Sequence, residues 1–447
     1  EGAEPAARAR LWALLAEASL LRGEAPARAA LALRRAAGLQ QSAASSSTGA
    51  AATPASSSTE LFVGFKEREL ERRTELLEEH LRARAEKGPP AGGGNAPVPA
   101  GEPGPEPLLR LLAQVIALPA GGDEFGPEAL LQELRRSFGL AALLQRCGGL
   151  AARKAARLAL AARLGSAVLP EGLLRPGSLF EGEDAGRLPL KAELCCGEGE
   201  WVCAQARADA GRANWLCVEL RRDRVFRAMS RAHLLGVRNL CLVAGDAAEL
   251  LQRLEPRSLS QVFVNFPEPP ARRGGGPGKA DPETAGKGRQ EAPHLLTIET
   301  MRLIRRALVP RGTLLVLSDN FPYLCRLALE VDSISGFAPM SAPSGAKRAR
   351  CTARTPVWSG RPGAECGVAD AAASSYFDRL WQNGRITQRH YLWVERRKQG
   401  AEAGGGQPAE EPPAASLPEA PPQKRRRQGG SGRGRGAAQL LAAGRGG

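Results

Sequence analysis

Aromatic residues are scarce in this chain: Phe, Trp and Tyr together make up 4% of 447 residues. RNA-binding modules that grip bases by stacking need exposed rings at set positions, so that class is set aside. Histidine is rarer still, with four copies that form no ligand spacing, and none of the nine cysteines makes a C-x-x-C pair. No metal is implied. The cysteines sit mostly in apolar runs, such as Cys217 in WLCVEL and Cys241 in NLCLVAG. They read as buried, reduced thiols of an intracellular protein; cytoplasm, nucleus and organelle are not distinguished. No unbroken apolar stretch is long enough to span a bilayer, so no membrane partner is expected. The chain opens on Glu1, so the natural N-terminus is expected upstream, and a targeting segment is not readable.

Basic charge is plentiful. The formal net charge is +15, and residues 191–398 alone hold 32 Lys/Arg against 21 Asp/Glu, a net of +11. A basic folded surface attracts polyanions, although an even spread of solvated arginines would give the same total.

Composition divides the chain. Residues 1–40 suggest an Ala/Leu-rich helical segment, 41–58 a Ser/Ala/Thr-rich disordered linker, and 59–106 a charged helix followed by a Gly/Pro linker. Residues 107–190 suggest a helical extension of two or more helices. Residues 399–447 are Gly/Pro/Ala-rich with a basic run at Lys424–Arg427, and are expected to be disordered. Between them, residues 191–398 read as one folded domain, with a Gly-rich insertion at 271–291 and a poorly patterned stretch at 341–373.

Within that domain short apolar runs alternate with helical patterns: KAELCC, NWLCVEL, NLCLVAG, QVFVNF and GTLLVLS. Runs that are apolar throughout suit strands buried on both faces. Their alternation with helices predicts an α/β fold, a Rossmann-like, doubly wound and mostly parallel sheet. Trp201 and Trp215 fall in core patterns and are read as packing; Trp358 has no assignment.

Ligands of such sheets bind at the carboxyl ends of the strands. The first strand ends in Glu193-Leu-Cys-Cys-Gly197-Glu-Gly199, where the two glycines permit a tight turn and close approach of a ligand. A dinucleotide site would want G-x-G-x-x-G, and Val202 stands at the third-glycine spacing, so the pyrophosphate reading is poor. Glu219 ends the second strand, where a carboxylate can accept both ribose hydroxyls. Asp246-Ala247 follows the third strand and Asp319 the fifth. Either Asp could equally be a helix N-cap. Acids ending successive strands favour a cationic, adenosine-bearing cofactor.

These residues, together with Asn265-Phe266-Pro267-Glu268-Pro269 after the fourth strand, resemble the tRNA (guanine-N7)-methyltransferases. The resemblance runs through residues 191–330 and resumes at Ser375-Tyr376-Phe377-Asp378 and the closing RHYLWVERR. It implies S-adenosylmethionine as cofactor and a guanine of tRNA, at position 46 of the variable loop, as substrate. On that footing Glu193, Gly197, Gly199, Glu219, Asp246 and Ala247 bind the cofactor. Glu268, on the F-P-D-P signature Asp, serves in catalysis and substrate binding. Asp319, Ser375 and Asp378 flank the guanine, with Ser375 and Asp378 standing where the family has T-x-x-E. The Trp and Lys that follow the signature in the family are Pro270 and Ala271 here, with Arg272 and Arg273 just beyond. Arg272, Arg273, Lys279, Lys287 and Arg289 could grip phosphates. A need for a partner subunit is not readable from the sequence. Rival readings are a methyltransferase for another substrate and a catalytically silent RNA-binding relative. A nucleotide-dependent oxidoreductase ranks last, for want of the third glycine.

Overall fold

A computed structural model of the chain describes residues 114–119, 125–137, 150–180, 185–270, 294–382 and 388–398. The expected helices and linkers of residues 1–106, the insertion at 271–291 with its Arg272 and Arg273, and the basic tail at 399–447 lie outside the described residues.

The apolar runs form the strands they suggested. Strands β2 (Leu190–Leu194), β3 (Asn214–Glu219), β4 (Leu240–Ala244), β5 (Leu259–Asn265) and β6 (Leu308–Ser318) are joined by helices that cover the sheet. All six residues of β3 and all five of β4 are buried, which is why these strands carry no polar alternation. The order β4-β3-β2-β5-β6 is parallel throughout. From β2 the chain winds outward to β4, then crosses back to start β5 on β2's other side. The strand order therefore reverses between β2 and β5, and a crevice opens at their carboxyl ends.

Helix α3 (Glu200–Ala208) follows β2, α4 (Arg222–Leu234) follows β3, and α5 (Ala247–Arg253) follows β4. Beyond residues 271–293, Thr297 caps α6 (Ile298–Ala307) by accepting the Thr300 N–H, and Met301, Ile304 and Ala307 of that helix are buried. Trp201, Trp215 and Phe263 stack into one aromatic cluster, with Trp215 and Phe263 wholly buried. Burial of such rings stabilises by up to about 3 kcal/mol each.

Two regions depart from expectation. Residues 107–190 contain α1 (Pro127–Ser137) and α2 (Leu150–Ala167), but also the strand β1 (Val115–Ala117), which pairs parallel with β4 and extends the sheet. Three residues are too short to show a period. What holds them is the free edge of β4 and the seat of Leu118 on Gly245, where a Cβ would stand 2.8 Å from the Leu118 Cβ. Beyond α7 (Phe321–Ser333) the sheet turns antiparallel. Strand β10 (His390–Arg396) pairs with β6, with β7 (Phe337–Pro339) and with β9 (Val357–Ser359), and β8 (Lys347–Arg348) closes the edge. The poorly patterned stretch thus holds two short strands, and Trp358 lies buried in β9. A last helix, α8 (Tyr376–Gln382), precedes β10.

Candidate active site

The turn after β2 is built from left-handed backbone. Cys195 has φ +59°, Gly197 +61° and Gly199 +74°. At Gly199, the N-cap of α3, a Cβ would lie 2.6 Å from the Ala228 Cβ of α4, so only hydrogen fits between the two helices. Gly197 is the opposite case: its open side faces empty space, leaving the backbone approachable by a ligand. Cys195 holds a conformation that costs a non-glycine residue about 1–2 kcal/mol. Such strain persists where surrounding structure enforces it, often beside a ligand.

Two carboxylates flank the turn. Glu193, at the end of β2, is 2% exposed. Its Oε1 accepts a hydrogen bond from Asn265 Nδ2 at 2.7 Å, while Oε2 is buried without a partner. Burial pushes its pKa up to about 8; the Asn265 bond opposes this, and the charges of Glu200 and Glu219 add to it. Glu219, at the end of β3, is held by two backbone donors, Gly197 N–H to Oε2 and Arg221 N–H to Oε1, each at 3.0 Å. Its remaining lone pairs can still accept hydroxyl protons.

The other strand-end acids differ. Asp246 is exposed and caps α5: its Oδ1 accepts the N–H groups of Ala248 and Glu249 at 2.8 and 3.0 Å. Ala247 is buried beside it. Asp319 is half-buried, and the cap of α7 is its neighbour Asn320, whose side chain accepts the Tyr323 N–H.

On the opposite side of the crevice, β5 runs into the proline-rich loop. Phe266 turns left-handed at φ +52° and donates its N–H to Leu317 O at 2.7 Å. Glu268 is exposed on that loop. The Phe266 ring packs on Phe377 of α8, centroids 6.0 Å apart, which brings the closing segment against the signature loop. Ser375 Oγ accepts the Asp378 N–H at 3.2 Å and so starts α8. Asp378 is 4% exposed and ion-paired with Arg389 and, at 3.3 Å, with Arg361. Arg379 reaches back to Glu200 of α3 at 3.0 Å. His390 opens β10 opposite Ser318, buried between the Phe321 ring and Ser359, and burial holds its pKa below the usual imidazole value.

Sequence reasoning did not single out Asn265 as the partner of Glu193, nor Arg361, Arg379 and Arg389 as the ties of α8. Asn265 carried a signal, since it heads the signature loop and ends the strand next to Glu193. The arginines carried none: Arg379's partner Glu200 lies 179 residues away, and Arg361 and Arg389, though nearer, meet Asp378 only through the fold of the closing segment.

The site fits S-adenosylmethionine. A buried carboxylate with one oxygen unpartnered is completed by a cation, and this cofactor carries positive charge on its sulfonium and amino groups. The open face of Gly197 gives it room, and Glu219 supplies an acceptor for ribose hydroxyls. Among the described residues no His/Cys/Asp/Glu group could hold a metal ion, and no helix is long and apolar enough to cross a membrane.

The strand order, with β10 antiparallel beside β6, and this crevice define an S-adenosylmethionine-dependent methyltransferase of the Rossmann-like class. A family model described as "Putative methyltransferase" matches residues 187–273. The tRNA (guanine-N(7)-)-methyltransferase of Chlamydia caviae is 30% identical over 196 residues, 44% of this chain and 71% of that protein. Those of Chlamydia abortus (34% over 137 residues; 30% of this chain and 54% of that protein) and Chloroflexus aggregans (32% over 148; 33% and 57%) are also similar. This chain belongs to the tRNA (guanine-N7)-methyltransferase family. It spans little more than half the length of the second and third of these relatives. An rRNA methylase from Streptococcus thermophilus aligns over 47% of this chain and 88% of its own, at 12% identity and a TM-score of 0.27; the fold assignment stands on the strand order.

Proposed function

We propose that this chain transfers a methyl group from S-adenosylmethionine to N7 of a guanine in tRNA, position 46 of the variable loop. What carries the reading is the placement of Glu268: exposed, on the loop leaving β5, across the strand-order reversal from the buried carboxylate Glu193. When bound, the cofactor supplies an electrophilic methyl, which guanine N7 takes with its in-plane lone pair and without a strong base. The protein's work is therefore positioning and electrostatics.

Glu193 balances the positive charge of the cofactor, and Glu219 holds its ribose. Gly197 and Gly199 keep the turn close, while Asp246 and Ala247 bound the adenine side. Glu268 receives the N1/N2 edge of the guanine and favours the charge that develops as the base becomes cationic. Ser375 and Asp378 hold α8, and with it Phe377, at the guanine side, and Asp319 closes the site from β6. Arg272 and Arg273, which follow the signature in sequence, contact phosphates of the tRNA.

The test is transfer of labelled methyl to unmodified tRNA followed by nucleoside analysis. The expected product is 7-methylguanosine, lost in Glu268→Ala and absent when the variable-loop guanine is replaced by adenine. A chain that binds the cofactor yet methylates no guanine on any tRNA would overturn the proposal and favour the silent RNA-binding relative.

A further inference from the structure

At the far edge of the sheet from the crevice, a half-open pocket of about 500 Å³ lies at the amino ends of β3, β2 and β5. That volume is within the range of small-molecule sites. Three adjacent strands begin there, so the pocket is separate from the methyl-transfer crevice, which lies at the strands' other ends.

Its lining is that of an anion site with an apolar wall. Arg175 and Arg257 line it, Phe180 and Leu188 supply the wall, and Glu255 is the single acid. Glu255 holds Arg175 at 3.4 Å, an internal pairing that an incoming anion would replace. Arg257 sits in a left-handed turn at φ +59°, fixed by its N–H to Arg306 O at 3.0 Å. A glycine or asparagine would rest there without strain; the chain keeps an arginine and leaves it exposed. The next residue, Ser258, has its hydroxyl buried with no hydrogen-bond partner, an unmet polar atom in the pocket wall. The positive field continues past the pocket. The Arg396 guanidinium is held below its usual pKa by burial and then by the charges of Arg257 and Arg305.

We infer that this pocket is a second ligand site, distinct from the catalytic crevice, that takes a phosphate-bearing nucleotide. Arg175 and Arg257 meet the phosphate, and the base lies on the wall formed by Phe180 and Leu188. The nucleotide is either free or one link of an RNA strand, and the two sources are separable.

The full-length chain, first saturated with S-adenosylhomocysteine, is titrated with adenosine 5′-monophosphate and separately with a short oligoadenylate. Binding of the oligonucleotide alone assigns the pocket to RNA; binding of the mononucleotide as well assigns it to a free nucleotide. In either case Arg257→Asn, which keeps the left-handed turn, weakens binding roughly tenfold, the loss of one charge-assisted hydrogen bond. Glu255→Gln strengthens it about threefold by releasing Arg175, a gain that misfolding cannot imitate. Affinity for S-adenosylhomocysteine stays unchanged in both variants. Absence of binding by both probes, or unchanged binding in both variants, overturns the inference.

Discussion

Raising the pH from 6 to 8 should tighten cofactor binding about fiftyfold, because the group that meets the cofactor's charge is mostly protonated at neutrality. Glu193 is buried, keeps one oxygen unpartnered, and has its pKa pushed up from 4.5 to about 8. A shift of that size is about 5 kcal/mol of preference for the neutral carboxyl. At pH 7 roughly nine in ten free chains hold this proton. A cationic cofactor that needs the carboxylate must displace it, so affinity changes about tenfold per pH unit below 8 and levels off above. The assay is calorimetric titration at several pH values, in buffers of different ionisation enthalpy. Close to one proton should leave on binding at pH 7, and Glu193→Gln should bind weakly with a flat profile. The sign for folding is opposite. With its folded pKa raised, Glu193 contributes stability that is whole below pH 4.5 and is lost as the pH rises to about 8, so the free chain unfolds more easily across that window. Cofactor affinity constant from pH 6 to 8.5, or no proton release, would refute the reasoning.

Other perturbations test the scaffold. Gly199→Ala must fit a methyl 2.6 Å from the Ala228 Cβ at φ +74°, and should cost about 2–3 kcal/mol in denaturant melts. Cys195→Gly relieves the left-handed strain, so the melting midpoint should rise by about 1 kcal/mol of stability. Asp378→Asn leaves Arg389 and Arg361 without their shared counter-ion, and a loss of about 3 kcal/mol should accompany faster amide exchange in α8. Asp246→Ala removes the cap of α5 and should cost about 1 kcal/mol. Asp246→Ser keeps a cap, so any fall in cofactor affinity that persists in it reports on the carboxylate itself.

Much of the frame was legible because burial on both faces leaves a plain mark. QVFVNF and NLCLVAG could not be surface strands, and their alternation with helices left a doubly wound sheet as the economical outcome. Strand-end acids were legible for the same topological reason, since an acid closing a buried run must emerge at the sheet's carboxyl edge. What could not be read were features that depend on partners brought together only by folding. Residues 115–117 form a strand only because β4 offers an edge. Asp378 became a buried ion-pair centre only because Arg361 and Arg389 converge on it. Asp246 and Asp319 read alike as cap or ligand, and the structure makes one the cap and passes the other's role to Asn320.

By itself, the sequence determined the strands β2 to β6, the helices that alternate with them and the acids at the strand ends, because hydrophobic periodicity and turn chemistry are local. Tertiary structure alone decided the electrostatics. A glutamate ending an apolar run is an ordinary acid until Asn265 takes one oxygen and packing closes over the other; only then does it hold a proton near neutrality. The pocket at the opposite edge has the same origin, since Arg175, Glu255 and Arg257 gain a common meaning only when three strand beginnings bring them together.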